Sequence, residues 1–242
     1  MAQPLIEMKD VSFSVQGKKI VSNVSIIFEE GKASALAGPS GSGKSTILKL
    51  AAGLLVPSGG GVYYRGKNIA AMNRSQNLVF RREAAVVFQD SALWANQNLN
   101  QILELPLLVH FPNMGNRERR DRAWEAAVMA GYRQDLAVRP AMLSMGEQKM
   151  IAFARAMLCH PSALFLDEWT ESLDDSAARR LVEIVRDFKA AGKTIVFISH
   201  DFSLIQSLAD CVVMIAEGRL VRRIEGELIC TDRDLVKLAE EA

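Results

Sequence analysis

The nine residues Gly38-Pro39-Ser40-Gly41-Ser42-Gly43-Lys44-Ser45-Thr46 constrain this chain more than any other stretch. They satisfy the pattern GxxxxGK[ST] and stand where that pattern has meaning. Before them runs the small-residue segment Ala33–Ala37, which reads as a strand, and residues 44–54 after them read as a helix. Glycines let successive backbone N–H groups curl around an anion, and the helix N-terminus adds its partial positive charge. A chain of phosphates is the ligand such a loop suits. In that reading Lys44 reaches the β- and γ-phosphates and the Ser45 hydroxyl ligates Mg²⁺.

The rest of the chain alternates strand and helix around this loop. Val11, Phe13 and Val15 alternate as a short strand, Gln16-Gly17-Lys18-Lys19 reads as a turn, and Val24, Ile26 and Phe28 mark a second strand. Residues 57–61, Pro-Ser-Gly-Gly-Gly, read as a turn, with strands expected at 62–64 and 85–88. From 90 to 160 the strand signal gives way to helical spacing: Leu103, Leu107 and Leu108; Trp124, Ala127 and Val128; then Met150, Ile151, Ala154, Met157 and Leu158. Strands at 164–166 and Thr194–Ile198 then alternate with helices at 179–188 and 202–209, and a hairpin at 212–215 and 220–223 turns at Gly218. The expected fold is α/β: a P-loop NTPase with a RecA-like parallel sheet, an N-terminal antiparallel β subdomain and an inserted helical subdomain. The expected division is one domain over 1–242. Residues 1–89 and 160–242 form its nucleotide-binding core, and 90–159 form the helical subdomain.

Three further features sharpen the chemistry. The apolar strand Ala163-Leu164-Phe165-Leu166 ends in Asp167-Glu168, which puts Asp167 beside a Mg²⁺ shell and Glu168 in position to polarise an attacking water. Leu143-Ser144-Met145-Gly146-Glu147-Gln148 precedes a helix, and Ile198-Ser199-His200-Asp201 closes the next strand. With these in order the chain resembles the ATP-binding cassette (ABC) ATPase family over essentially its whole length. The P-loop, Gln89 in Val-Val-Phe-Gln as the Q-loop, an LSGGQ-like signature, the Walker B strand, a D-loop at Ser172-Leu173-Asp174 and the His200 switch follow one another as in that family.

The resemblance implies ATP and Mg²⁺ as ligands and ATP hydrolysis as the activity. It implies a head-to-tail homodimer or pseudo-dimer with two ATP molecules in its interface, each between one P-loop and the other subunit's signature. Ser144 and the Gly146 N–H, with Met145 and Glu147 beside them, then meet the γ-phosphate in trans. Gln89 joins Ser45 and Asp167 in the Mg²⁺ and water shell, with Asp167 acting through water. His200 holds the γ-phosphate, and Lys44, Gln89, Glu168 and His200 form the catalytic set. The family often stacks adenine on an aromatic ring where this chain has Val15, so Phe13 and Val15 are the candidate base contacts. Met145 replaces a signature glycine, Glu147 the usual glutamine, Trp169 a proline and Glu171 a serine.

Composition narrows the partners. Lys plus Arg is 29 and Asp plus Glu is 28, a net charge of +1, which argues against an obligate nucleic-acid binder. The alternating signs in Arg117-Glu118-Arg119-Arg120-Asp121-Arg122 read as a solvated helix start. Cys159, Cys211 and Cys230 form no CxxC pair, which argues against a zinc site or a disulfide framework. No apolar run reaches the roughly 20 residues of a spanning helix, and no secretory signal opens the chain. The expectation is a cytoplasmic chain, peripheral on the inner face of the cell membrane, whose transmembrane permease is a separate subunit. The short acidic-leaning tail from Glu225 sets the expectation of no C-terminal regulatory domain. Gln89-Asp90-Ser91-Ala92-Leu93-Trp94 and Leu103-Glu104-Leu105-Pro106-Leu107-Leu108 resemble the coupling region of MCE-type (Mla-like) lipid-transport ATPases. That likeness implies phospholipid cargo and a lipid-binding MCE or other substrate-binding component; a lipoprotein-releasing or amino-acid-type system reads nearly the same. The alternative is a soluble ABC ATPase of iron–sulfur cluster assembly, whose signature region resembles Gly146-Glu147-Gln148-Lys149.

Overall fold

The structure, a computed structural model, describes residues 4–230. Strands β1 (Pro4–Val15) and β2 (Lys18–Glu29) form a long hairpin, followed by β3 (Ala33–Ala37) and helix α1 (Lys44–Ala51). Next come β4 (Gly59–Tyr64), β5 (Lys67–Asn68), α2 (Arg74–Glu83) and β6 (Ala84–Val87). Three helices follow, α3 (Leu99–His110), α4 (Asn116–Ala130) and α5 (Met145–Met157), and then β7 (Ala163–Asp167), α6 (Asp175–Ala190), β8 (Thr194–Ile198), α7 (Phe202–Leu208), β9 (Cys211–Ala216) and β10 (Arg219–Glu225).

Two sheets organise these elements. One is antiparallel, in the order β2-β1-β4-β5, and the other has the order β10-β9-β3-β8-β7-β6. In the second, β3 pairs in parallel with β8 and β9, and β7 with β6 and β8, while β10 runs antiparallel to β9. Strand alternation assigns its two faces. Leu36, Phe165, Val196, Ile198 and Val213 pack with Ile47 and Leu48 of α1 and with Met8, Val24 and Phe28 of the antiparallel sheet. Ala35, Leu164, Leu166, Ile195, Phe197 and Val212 pack on the opposite side with the helical half. The P-loop leaves β3 at the C-terminal edge of the sheet, with β8 and β9 on its flanks. This is where ligands bind in open α/β folds.

Several expectations need correction. The first strand starts at Pro4, and β2 begins at Lys18, so the turn is only Gln16-Gly17. Helix α1 ends at Ala51, short of the expected residue 54, with Gly53 in a left-handed conformation just beyond. Residues 59–61 are strand. They pass β1 where its register shifts between Lys9 and Ser12, and a Cβ on Gly60 would lie 2.3 Å from the Lys9 and Asp10 carbonyl oxygens. A glycine run that reads as a turn is here what lets two backbones cross closely.

Helix α2 has no counterpart in the sequence reading. Its one buried residue is Phe80, and a reciprocal capping box between Asn73 and Gln76 starts it. In α4 the buried stripe is Ala123, Ala127 and Ala130, and Trp124 faces outward at 43% exposure. Small residues there let α4 lie close to α5. Within the charged run, Arg119 is also not solvated. It is buried, donates to the Met114 carbonyl and the Asn116 side chain, and faces Glu104 at 3.7 Å. Cys159 and Cys211 are free thiols, and Cys230 and most of the tail lie outside the side chains described.

Candidate nucleotide site

The loop between β3 and α1 is built around backbone. Gly38 has φ +144°, and a Cβ there would sit 2.0 Å from the Ile215 carbonyl oxygen, so only glycine fits beneath β9. At the other end Gly43 caps α1 in a left-handed conformation and supplies no side-chain cap, and the first turn of α1 holds no acidic residue. The orphan N–H groups of that turn thus have no internal carboxylate to satisfy them. Lys44 is 7% exposed, and its ammonium donates to the carbonyls of Gly38 (2.8 Å) and Pro39 (2.9 Å). Burial pulls its pKa below the ordinary lysine value, against the opposing fields of Glu168 and Asp167. The Ser42 hydroxyl is buried and has no hydrogen-bond partner. That orphaned polar atom fits a phosphate oxygen.

The ends of β7 and β8 bring the acidic and imidazole groups to the same edge. Asp167 is 2% exposed and accepts from the Ser45 hydroxyl at 3.1 Å. Burial raises its pKa, partly offset by the Ser45 hydrogen bond and by Lys49, Lys44 and Lys149. The next residue, Glu168, turns out of the strand with φ +47°. Its carboxylate meets His200 Nε2 at 3.1 Å and Gln89 Nε2 at 3.4 Å. The same Gln89 amide nitrogen donates to Glu171 at 3.1 Å. A cavity of about 470 Å³ gathers residues 40–46 with Gln89, Glu168, Glu171 and His200, and Ile20 forms an apolar part of its wall.

The remaining candidates lie elsewhere. Val15 is 49% exposed at the end of β1, Phe13 packs against the core of the antiparallel sheet, and neither lines the cavity. Ser144 is the N-cap of α5 in a capping box with Glu147. The Glu147 carboxylate accepts from both the Ser144 N–H and the Ser144 hydroxyl at 2.9 Å, and Ser144 Oγ accepts from the Glu147 N–H. Met145 is 71% exposed, so a side chain at that position meets no steric bar. Position 146 differs: a Cβ on Gly146 would lie 3.2 Å from the Ser172 carbonyl oxygen. Of the two signature positions where the family has glycine, only 146 is held to it by close approach within the chain. Asp174 caps α6 through the N–H groups of Ser176 and Ala177.

Residues 21–171 match the model of a family described as ABC transporter. The chain belongs to that family. Among its ABC relatives, the octopine permease ATP-binding protein P of Rhizobium radiobacter is 30% identical over 227 residues, covering 89% of this chain and 86% of the relative. The intermembrane phospholipid transport system ATP-binding protein MlaF of Escherichia coli K12 is 31% identical over 231 residues, covering 95% and 86%. The ATP-binding cassette MJ0796, solved as a dimer in a post-hydrolysis state with ADP and Pi, is similar with a TM-score of 0.83 and 28% identity over 91% of this chain and 98% of that one. This chain is therefore the ATP-binding, ATP-hydrolysing subunit of an ABC transporter. The iron–sulfur alternative gives way, because these relatives are named as transport proteins. No helix among the described residues is long and apolar enough to cross a membrane.

Sequence reasoning missed one buried group in this ABC site. Lys149 of α5 is 3% exposed and donates to the Glu168 carbonyl oxygen at 2.8 Å. Burial lowers its pKa while Glu171, Glu168, Asp167 and Asp90 pull it up. The signal was available: Lys149 stands four residues before Phe153 and seven before Ala156, both buried, and so shares their helix face. Trp169 was visible as a departure, but its role was not. It is fully buried and stacks edge-on against Phe197 with centroids 5.7 Å apart.

Proposed function

We propose that ATP is hydrolysed at this cavity with Glu168 as the group that polarises the attacking water. The observation that carries this reading is the convergence of His200, Gln89 and the P-loop on the Glu168 carboxylate. Water adds to the γ-phosphorus as the bond to the β,γ-bridging oxygen breaks, giving ADP and phosphate, and the water proton passes toward Glu168. Lys44 and the first-turn N–H groups of α1 bind the β- and γ-phosphates, and His200, 3.1 Å from the Glu168 carboxylate, orients the γ-phosphate.

The donor set fits Mg²⁺. Ser45 and Asp167 present a hydroxyl and a carboxylate 3.1 Å apart, both hard oxygens, and no group of three His, Cys, Asp or Glu among the described residues forms a metal cage of its own. A cation that arrives with phosphate oxygens and keeps several waters suits such a sparse set. Ser45, Asp167 through water and the Gln89 amide oxygen would hold it, and its charge would neutralise that developing on the phosphates.

Two subunits pair head to tail in this reading, with Ser144 and the Gly146 N–H of one meeting the γ-phosphate on the other. The solved dimer of a similar cassette supports it. The permease docks in a second cavity of about 510 Å³ between the sheet and the helical half, where Phe88, Trp94, Pro106 and Val109 supply an apolar wall and Arg82 and Arg155 supply charge. That groove contains part of the segment resembling MCE-type ATPases, and MlaF is among the relatives. We therefore favour phospholipid as the cargo class, with the chain bound to the cytoplasmic side of its permease. The test is to tag the chain, extract membranes in mild detergent and analyse what co-purifies. A multi-span permease carrying phospholipid is expected, and a permease carrying amino acid or peptide instead would overturn the cargo.

A further inference from the structure

The helix that opens with the signature also reaches Glu168. Four residues after Met145, α5 presents Lys149, whose stem is enclosed by the core and whose ammonium meets the Glu168 carbonyl oxygen at 2.8 Å. That carbonyl belongs to a residue in a conformation L-residues seldom adopt, with φ +47°, and a second non-glycine residue, Ser172 with φ +65°, lies four positions on. Such backbone persists only where surroundings over-determine it. Three contacts do so here. The Glu168 N–H donates to Ile198 O at 3.2 Å, Trp169 is locked against Phe197, and Lys149 holds the carbonyl. Proline, the usual residue at position 169 in the family, would fix φ by its ring; tryptophan does not, so the backbone there depends on packing and on Lys149.

We propose that Lys149 is a positioning residue: by holding the Glu168 carbonyl it fixes the turn that aims the Glu168 carboxylate at His200 and Gln89. The first turn of α5 and the hydrolytic carboxylate then move as one piece. In the head-to-tail dimer, the signature helix that meets one nucleotide carries the carboxylate serving the other. The inference rests on the reading of Glu168 given above, and the experiment separates the two.

Turnover and nucleotide affinity are measured for wild type, Lys149→Met, Glu168→Gln and the double variant, using ATPase rates and a fluorescent ATP analogue. Lys149→Met is expected to lower kcat by about 10- to 100-fold, the effect of a small misplacement of a reacting group, and to leave nucleotide affinity within about twofold. In the Glu168→Gln background the same change is expected to cost less than about twofold, because the group it positions is already gone. Lys149→Arg, which keeps a donor, is expected to recover most of the turnover. The proposal is overturned if Lys149→Met costs the same factor in both backgrounds, or if affinity falls in step with kcat. Lys149→Gln replaces Lys149→Met in the cycle if the latter does not accumulate folded. Glu168→Gln turning over like wild type would instead defeat the reading of Glu168 itself.

Discussion

Two helix N-termini in this molecule meet anions in opposite ways. Helix α1 begins at Gly43 with no side-chain cap and no acid in its first turn, so its orphan N–H groups and positive end are kept for an outside anion. Helix α5 begins at Ser144 with both halves of a capping box made, and the Glu147 carboxylate sits on the Ser144 N–H and hydroxyl. The first is a phosphate site assembled within one chain. The second has an internal anion where the trans phosphate is proposed to go, and Ser144 must release Glu147 before its hydroxyl can serve another oxygen. In the proposed dimer, phosphate affinity would therefore rest on α1, and a phosphate reaching Ser144 would first have to displace Glu147.

Of the changes that test this contrast, removing Lys44 should have the largest effect on nucleotide binding. Lys44→Ala is expected to weaken ATP binding by about 10- to 100-fold, the loss of a charge-assisted hydrogen bond, as read by titration with a fluorescent analogue. Loss confined to kcat would mean that the α1 end does not dominate binding. Glu147→Gln keeps the box but removes its charge. Turnover is expected to rise by up to about fivefold, because the helix-dipole attraction holding the internal anion is about 1 kcal/mol or less. Slower turnover would show that the carboxylate assists the site.

A smaller effect is thermodynamic. Asp167 has its folded-state pKa raised by burial, so its ionisation opposes folding once pH exceeds the ordinary carboxylate range. Asp167→Asn is expected to melt higher than wild type at neutral pH, and the gap should close as pH falls and Asp167 is protonated in both folded and unfolded chains. A gap that widens in acid would reverse the sign. The smallest change is Met145→Gly, which is expected to destabilise the chain by about 0.5–1 kcal/mol through helix propensity, measured by denaturant unfolding. Position 145 makes no tight contact, so a larger loss would reveal packing that its 71% exposure does not suggest.

The legibility of the sequence followed the same divide. β3 and β8 were read to their end residues because buried parallel strands are short continuous apolar runs. The P-loop and the Asp167-Glu168 pair were legible because a fixed spacing on a strand–loop–helix leaves little choice of geometry. Helix α2 was invisible to periodicity, since one buried phenylalanine in a polar segment makes no stripe; only the Asn73–Gln76 box marks it. The burial of Lys149 was legible from its helix face, but its contact with Glu168, the place of Glu171 in the cavity and the placement of Phe13 were hidden for another reason. Their roles depend on which distant segment lies opposite, such as the end of β7 under α5, and local pattern carries no such information.

The most direct measurement is the ATPase rate of Glu168→Gln alongside its nucleotide occupancy and sedimentation. Turnover is expected to fall by at least about 100-fold while ATP stays bound and the chain sediments as a dimer. Hydrolysis at the wild-type rate would contradict the assignment of Glu168.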